Sequence, residues 1–132
     1  MATQDNIAFV KSVLETEDWR RLIDRLADDV VFKVTIPEGT PVSGEFRGKQ
    51  AVVEHLTNLG DLLEFRQEKP LEYYGNGERV VVLGQETVEI KKSGVTVPRS
   101  EYTDVLDFRE GLITRFLIIQ DMSAFVDAYR GN

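Results

Sequence analysis

The sequence of 132 residues contains no cysteine, one histidine and no long apolar run. The absence of cysteine excludes disulfides, thiolate metal sites and cysteine nucleophiles. No stretch reaches the roughly 18 apolar residues that a spanning helix needs, so we expect no membrane segment. The amino-terminal residues lack a basic region followed by an apolar run, so no secretory signal is predicted and a cytoplasmic location is expected.

The charge balance argues against polyanionic partners. Sixteen basic residues stand against 23 acidic ones, which gives a formal net charge of −7. Nucleic acids and acidic lipid surfaces need clustered lysine and arginine, and the densest basic groups, Arg20-Arg21 and Lys91-Lys92, form no stripe. We therefore expect neither a nucleic-acid nor a membrane partner. The length and the share of hydrophobic residues, 42%, predict a single soluble domain over residues 1–132.

The apolar periodicity predicts helices in the first half of the chain. Helical spacing occurs over residues 7–14, again from Trp19 to Leu26 after a possible N-cap at Thr16, and a third time over 48–60. The second pattern places the indole of Trp19 on a stripe that we expect to face the core.

Alternating apolar and polar residues predict strands elsewhere. The first covers 30–36, and the strongest turn signal, Asn76-Gly77, predicts a type I′ hairpin between 64–75 and 78–90. Further turns are predicted at Ser93-Gly94 and Glu110-Gly111, and the last apolar segment, MSAFVDAY, predicts a short closing helix. This order predicts an α+β fold: a strongly curved, mixed but mostly antiparallel sheet covered by three helices of the amino-terminal half.

The last predicted strand is apolar on both faces. One face carries Leu112, Phe116 and Ile118, and the other carries Ile113, Leu117 and Ile119. Helices can cover only one face of a sheet, and a second copy of the chain is the economical cover for the other. We therefore expect a homodimer.

Asp104 shares a strand face with Tyr102 and Phe108, where burial penalises a charge. Inward carboxylates are uncommon without a role, which favours a pocket residue. The alternative is a partly solvated aspartate near the end of the sheet, or one paired with Arg99 or Arg115.

Three segments in this order resemble the nuclear transport factor 2 (NTF2)-like superfamily, and within it the ketosteroid isomerase and SnoaL-like polyketide cyclase group. They are LADDVVFKV, GEFRGKQAVVEHL and YTDVLDFREGLITRF, the last running into Asp121. The resemblance covers nearly the whole chain. It implies a conical α+β barrel, open at one end, with an apolar pocket between the curved sheet and the helices.

The segment DVLDF at 104–108 is similar to a strand of ketosteroid isomerases whose aspartate lies inside the pocket. There the acid stays protonated and donates a hydrogen bond to the developing enolate oxygen. The resemblance implies the same role for Asp104. The general base of those enzymes falls here at Val34 and their first-helix tyrosine at about Val10, and neither side chain can move a proton. Steroid isomerisation by that mechanism is therefore not expected.

Glu86 and Asp121 are the other candidate bases. Glu86 interrupts an otherwise apolar strand face, where it would point into the pocket beside Asp104. The alternative is a bulge at Gly84-Gln85 that turns Glu86 to solvent. Asp121 could act in the pocket or cap the closing helix.

His55 lies beside the apolar stripe of the third helix, either as a pocket residue or as a boundary residue. Asn58 and Leu59 occupy the positions three and four residues after it, so no metal site is predicted, and no cofactor is expected. Tyr102 is expected to reach a ligand oxygen. The pocket wall is expected to be formed by Phe32, Phe65, Phe116 and Ile118, although the same pattern would also fill a solid core. The candidate ligand-binding residues are Tyr102, Phe32, Val34, His55, Phe65, Phe116, Ile118 and Gln120.

These residues predict a small apolar or aromatic, oxygenated ligand. If the protein is an enzyme, we expect cofactor-independent isomerisation, cyclisation or dehydration next to a carbonyl. Asp104 would be the acid or oxyanion donor, and Glu86 or Asp121 the base. The alternative is a non-catalytic ligand-binding or dimerisation module with a vestigial pocket.

Overall fold

The strands form one curved sheet whose two edges stay apart. The computed structural model describes residues 2–130, in which the sheet order is β2-β1-β7-β6-β5-β3, with β4 also paired to β5. Only β1 and β7 pair in parallel. The strands are β1 (Leu26–Val34), β2 (Glu45–Arg47), β3 (Leu63–Gln67), β4 (Glu72–Asn76), β5 (Arg79–Ile90), β6 (Thr96–Arg109) and β7 (Leu112–Gln120). The predicted mixed, mostly antiparallel sheet is confirmed.

Helices cover the concave side of this sheet. The helices are α1 (Ala2–Thr16), α2 (Trp19–Asp24), α3 (Lys49–Leu62) and α4 (Ser123–Tyr129). α1 packs on β4 and β5, while α3 packs on β1, β2 and β3. α1 can lie close to β4 because Gly75 has no side chain: a Cβ there would lie 2.7 Å from Thr3 and Ile7. The predicted α+β fold, with three helices from the amino-terminal half, is confirmed.

The second helix is shorter than predicted and exposes its tryptophan. Asp18, not Thr16, caps it by accepting a hydrogen bond from the Arg21 amide at 3.4 Å. The helix ends at Asp24, so Leu26 already belongs to β1. With under two turns, the helix buries little of its apolar stripe, and Trp19 is 45% exposed. The prediction of a core tryptophan is wrong.

The segment predicted as one strand over 64–75 is two strands, β3 and β4, which share the same edge of β5. Pro70 lies between them, and a residue without an N–H interrupts a ladder. The hairpin after β4 is confirmed, but its type is wrong. Asn76 still pairs with Arg79, and of the two turn residues, Gly77 and Glu78, only Gly77 has a positive φ. A type I′ turn needs both.

A bulge in β7 changes which side chains face the core. Asp107 pairs with Arg115 and Phe108 pairs with Ile113, so Thr114 is an extra residue. The bulge brings Ile113 to the same side as Phe116, and both are buried. The prediction that Ile113 shares a face with Leu117 and Ile119 is therefore wrong. Leu117 and Ile119 remain on the outer face, where Ile119 is 47% exposed.

Candidate functional site

A cavity of about 470 Å³ lies between the concave sheet face and the helices. Leu14, Leu22 and Leu56 line it from α1, α2 and α3, while Phe32 and Phe116 line it from β1 and β7. The two phenylalanines are register partners, and their ring centroids are 4.9 Å apart. The wall is therefore largely apolar, as is usual for a small-molecule site.

Asp104 is part of this wall. Strand alternation turns it inward between its register partners Val82 and Ile118, and it is 5% exposed. Its carboxyl group makes no hydrogen bond or ion pair with any residue in the range 2–130. Burial, assisted by the negative charge of Glu86, raises the pKa of Asp104 to about 8. The side chain can therefore act as a neutral hydrogen-bond donor near pH 7.

Glu86 reaches the same cavity from β5. The alternative of a bulge at Gly84-Gln85 is wrong, because the register shift comes after Glu86, where Pro98 and Arg99 lie opposite Thr87. Glu86 therefore stays on the inner face and is 6% exposed. Burial raises its pKa to about 7, although two side-chain amides that donate to it act in the opposite direction.

Those amides belong to Gln67 and Gln120. Gln67 Nε2 donates to Glu86 Oε1 at 3.1 Å, and Gln120 Nε2 donates to Oε2 at 3.0 Å. Gln120 Nε2 also lies 3.1 Å from Ser100 Oγ. Each carboxylate oxygen of Glu86 thus receives a neutral donor. We define Gln67, Glu86, Gln120 and Tyr102 as the amide network.

Tyr102 joins this network through its hydroxyl group, which donates to Gln67 Oε1 at 2.6 Å. Its ring lies over Gly84, its register partner, where a Cβ would lie 2.5 Å from the hydroxyl oxygen. Burial raises the pKa of Tyr102, so the phenol keeps its proton. The hydroxyl that we expected to reach a ligand oxygen is therefore committed to Gln67.

Most predicted site residues line the cavity, and their contact with a ligand stays a prediction. These residues are Asp104, Glu86, Tyr102, Phe32, Val34, Phe65, Phe116, Ile118 and Gln120.

His55 and Asp121 lie elsewhere. The ring of His55 is buried beside Phe32 and Phe46, with centroid distances of 5.0 and 4.0 Å, and burial lowers its pKa to about 4. Asp121 is exposed, and its Oδ1 accepts from the Ser123 amide at 3.0 Å and hydroxyl at 2.8 Å. These bonds at the start of α4 hold the pKa of Asp121 below its usual value. The structure thus places both outside the cavity lining. Asp121 lies one residue before the N-cap residue of α4 and accepts from the first residue of the helix without being the N-cap itself.

Gln67 and Trp19 were missed by the sequence analysis. Gln67 ends a strand whose last four residues are exposed, so no alternation marked its side chain as inward. Trp19 lines the cavity where it meets solvent, but its spacing indicated the core. Within residues 2–130, no three His, Asp or Glu side chains are grouped so that they could hold a metal ion, and no helix is long and apolar enough to cross a membrane.

Comparison with known proteins gives the family. The sequence model of the SnoaL-like domain matches residues 7–116. This chain belongs to the SnoaL-like family. No curated protein matches the sequence significantly. The match confirms the resemblance on which the conical fold was predicted.

Solved structures place this SnoaL-like protein in the NTF2-like fold. An NTF2-like protein from Burkholderia xenovorans LB400 is 25% identical, with 98% of each chain covered and a TM-score of 0.79. TerC, co-crystallised with polyporic acid, is 24% identical, with 95% of each chain covered and a TM-score of 0.71. A proposed SnoaL-like polyketide cyclase from Mesorhizobium loti is 18% identical, with 87% of this chain and 96% of its own covered and a TM-score of 0.71.

Proposed function

We propose that the cavity binds a small, largely apolar, oxygenated molecule and that its two carboxyl groups move a proton next to a carbonyl of that molecule. The observation that carries this proposal is the buried carboxyl of Asp104, which lines the cavity without a partner in residues 2–130. Its oxygens are not among the fully enclosed unpaired atoms of residues 2–130, so they are open to the cavity rather than sealed in the core. A ligand oxygen would supply the missing acceptor.

The chemistry follows from the protonation states of the two acids. Glu86 as a carboxylate takes a proton from the carbon next to the carbonyl, and the electron pair moves onto the carbonyl oxygen. Asp104 as a neutral acid donates a hydrogen bond to that oxygen as its charge develops. Return of the proton to another carbon gives isomerisation, whereas attack of the enolate on a second carbonyl gives cyclisation. No cofactor is needed for either step.

Two further observations support a ligand of this class. A cavity of about 470 Å³ lies within the range of roughly 300–1,000 Å³ that small-molecule sites occupy. TerC, which has the same fold, was crystallised with polyporic acid, and another structural relative is a proposed polyketide cyclase.

The second candidate is a binding module without catalysis. Val10 and Val34 favour the binding module. They occupy the positions at which the ketosteroid isomerases, which this chain resembles, have their tyrosine and their general base. Both valines are almost fully buried and carry no proton to exchange. Glu86 favours the catalytic candidate, because a module that only binds has no use for a buried base.

A thermal-shift screen against phenols, naphthols and polycyclic ketones tests binding. A ligand at 100 times its Kd stabilises the fold by ~2.7 kcal/mol, which raises Tm by several degrees. We expect the shift in wild type and its loss in Asp104→Ala. Asp107→Ala is the matched control, since Asp107 lies on the outer face of the same strand and pairs with Arg79. Shifts that survive in Asp104→Ala would contradict the proposal.

Turnover is tested separately on any ketone that binds. We expect NMR to show deuterium exchange at the carbon next to the carbonyl with wild type, and at least a 100-fold slower exchange with Glu86→Gln, as is typical for loss of a general base. Binding should persist in that variant. Ligand binding with no exchange in wild type would favour the binding module.

We also propose that the outer sheet face joins two copies of the chain. Tyr74, Val81, Val105 and Leu117 are consecutive register partners across β4 to β7, and Leu83 and Ile119 lie in the next row. The helices pack on the opposite face. A two-fold axis that crosses these rows in the plane of the interface would place each row against the same row of the second copy. The same apolar patch would then serve both partners, and no patch of complementary charge is needed.

The dimer is tested by light scattering coupled to size exclusion. We expect twice the mass of 15.0 kDa for wild type and the single mass for Leu83→Lys combined with Ile119→Lys. Val95→Lys is the control, because Val95 is equally exposed but lies in the turn before β6. A monomeric wild type at micromolar concentration would rule the dimer out.

A further inference from the structure

We propose that Gln67, oriented by Tyr102, is a positioning residue that fixes the negative charge of the site on Glu86 and leaves Asp104 as the protonated acid. This inference rests on the proposed function, because it assigns the roles of the two carboxyls named there. It concerns which of the two acids in this cavity is the base, which the presence of two acids alone does not decide.

The hydrogen-bond donors around the two acids are unequal. Glu86 accepts one amide N–H on each oxygen, from Gln67 at 3.1 Å and from Gln120 at 3.0 Å. A protonated Glu86 would have to turn its own O–H toward one of these donors, so both bonds favour the carboxylate. Asp104 accepts no hydrogen bond from any residue between 2 and 130, and its register neighbours Val82 and Ile118 are apolar.

The orientation of Gln67 follows from Tyr102. A side-chain amide has one donor end and one acceptor end. The phenol of Tyr102 keeps its proton and donates to Oε1 of Gln67 at 2.6 Å, which leaves Nε2 for Glu86. Gly84 leaves room for this ring, because a Cβ there would overlap Cζ of Tyr102. Tyr102 therefore acts on the base through Gln67 rather than through the ligand.

The difference in hydrogen-bond donors decides which acid is charged, because two carboxyl groups buried in one cavity cannot both ionise without a large cost in free energy. The first charge goes to the acid with donors, and its field then keeps the second acid neutral. Burial raises the pKa of both acids, and the charge of Glu86 raises that of Asp104 further, which is the direction this order requires.

Tyr102 and Glu17 are the other ionisable side chains that line this cavity, and Glu17 lies at the exposed junction of α1 and α2. Tyr73 of β4 is the register partner of Val82 and so lies near Asp104. Burial raises the pKa of Tyr73, and this phenol also stays neutral.

Carboxyl-carbon NMR titration of the unliganded protein, labelled at Asp and Glu, tests the assignment. In wild type we expect Glu86 to titrate at lower pH than Asp104. In Gln67→Met, which keeps the length of the side chain but removes the donor, the pKa of Glu86 should rise by about one unit or more. The pKa of Asp104 should fall as the neighbouring charge is lost. Tyr102→Phe should raise the pKa of Glu86 as well, because it removes the hydroxyl group that orients the amide of Gln67.

Gln85→Met is the matched control. Gln85 precedes Glu86 and donates to Glu101 at 3.0 Å on the outer face, so its loss should leave both pKa values unchanged. The inference is overturned if the pKa of Asp104 is lower than that of Glu86 in wild type. It is also overturned if Gln67→Met leaves the pKa of Glu86 unchanged. Neither outcome depends on a ligand. A protein that shows the expected titrations and binds nothing in the screen would retain this inference and lose the proposed function.

Discussion

Asp104→Asn should be more stable than wild type, and its advantage should be larger at pH 7.5 than at pH 5 by roughly 3 kcal/mol. Burial raises the pKa of Asp104 from its ordinary value near 4 to about 8. Asparagine has nearly the same shape and never ionises. The wild type therefore carries a pH-dependent cost that the variant lacks.

The sign of this effect follows from proton counting at Asp104. Between pH 4 and pH 8 the folded protein keeps a proton that the unfolded chain has released. The folded state is thus favoured by low pH: its stability is fully present below pH 4 and declines as pH rises toward 8. One group contributes a slope of about 1.4 kcal/mol per pH unit. Glu86, whose pKa is raised to about 7, adds a similar slope to both proteins, and that slope cancels in the difference.

Urea unfolding of both proteins at pH 5 and pH 7.5 measures the effect. Asp107→Asn, the same substitution on the outer face of β6, is the control and should not reproduce it, because Asp107 pairs with Arg79 at the surface. An equal difference between wild type and Asp104→Asn at both pH values would contradict the prediction, since it would mean that Asp104 is solvated in the folded state.

His55→Leu should show the opposite dependence on pH. When the pH falls from 7.5 to 5, we expect the free energy of unfolding of the variant to increase by about 2 kcal/mol relative to that of wild type. The ring of His55 is 1% exposed between Phe32 and Phe46, and neither ring nitrogen has a hydrogen-bond partner in residues 2–130. Leucine occupies a similar volume and carries no charge at any pH.

Proton counting at His55 gives this direction. Burial lowers the pKa of the imidazole from its ordinary value near 6.5 to about 4. Below pH 6.5 the imidazole of the unfolded chain binds a proton, whereas the buried imidazole of the folded protein stays neutral. The wild type therefore loses stability as the pH falls toward 4. The variant removes this loss. At pH 7.5 both states are neutral, and the loss of ring stacking offsets the removal of two unpaired nitrogens.

The titration can also be observed directly, because His55 is the single histidine of the chain. Its imidazole proton signals should move with a midpoint near pH 4 in the folded protein. Urea unfolding at pH 5 and pH 7.5 gives the matching free energies. A midpoint near 6.5 would show that water reaches the ring, and the stability difference should then vanish.

The sequence by itself determined the order of the elements and the inward face of the central strands. Strand side chains alternate with a period of two, so Asp104 had to share a face with Tyr102 and Leu106 wherever the strand packed. The three segments that resemble SnoaL-like proteins then predicted the conical fold, and that resemblance placed this strand face inside the pocket. Most of the cavity wall was predictable for this reason, including Phe32 and Phe116.

Only the tertiary structure decided the side chains whose positions depend on register or on distant strands. Alternation cannot locate a bulge: the bulge at Thr114 turns Ile113 inward, whereas the irregularity opposite Thr87 comes after Glu86 and leaves that side chain on the inner face. Gln67 meets Glu86 across 19 positions of sequence because β3 and β5 are paired. Local periodicity carries no information on such pairing. The hydrogen-bond partner of the proposed base, Glu86, is therefore a strand neighbour that the sequence did not reveal.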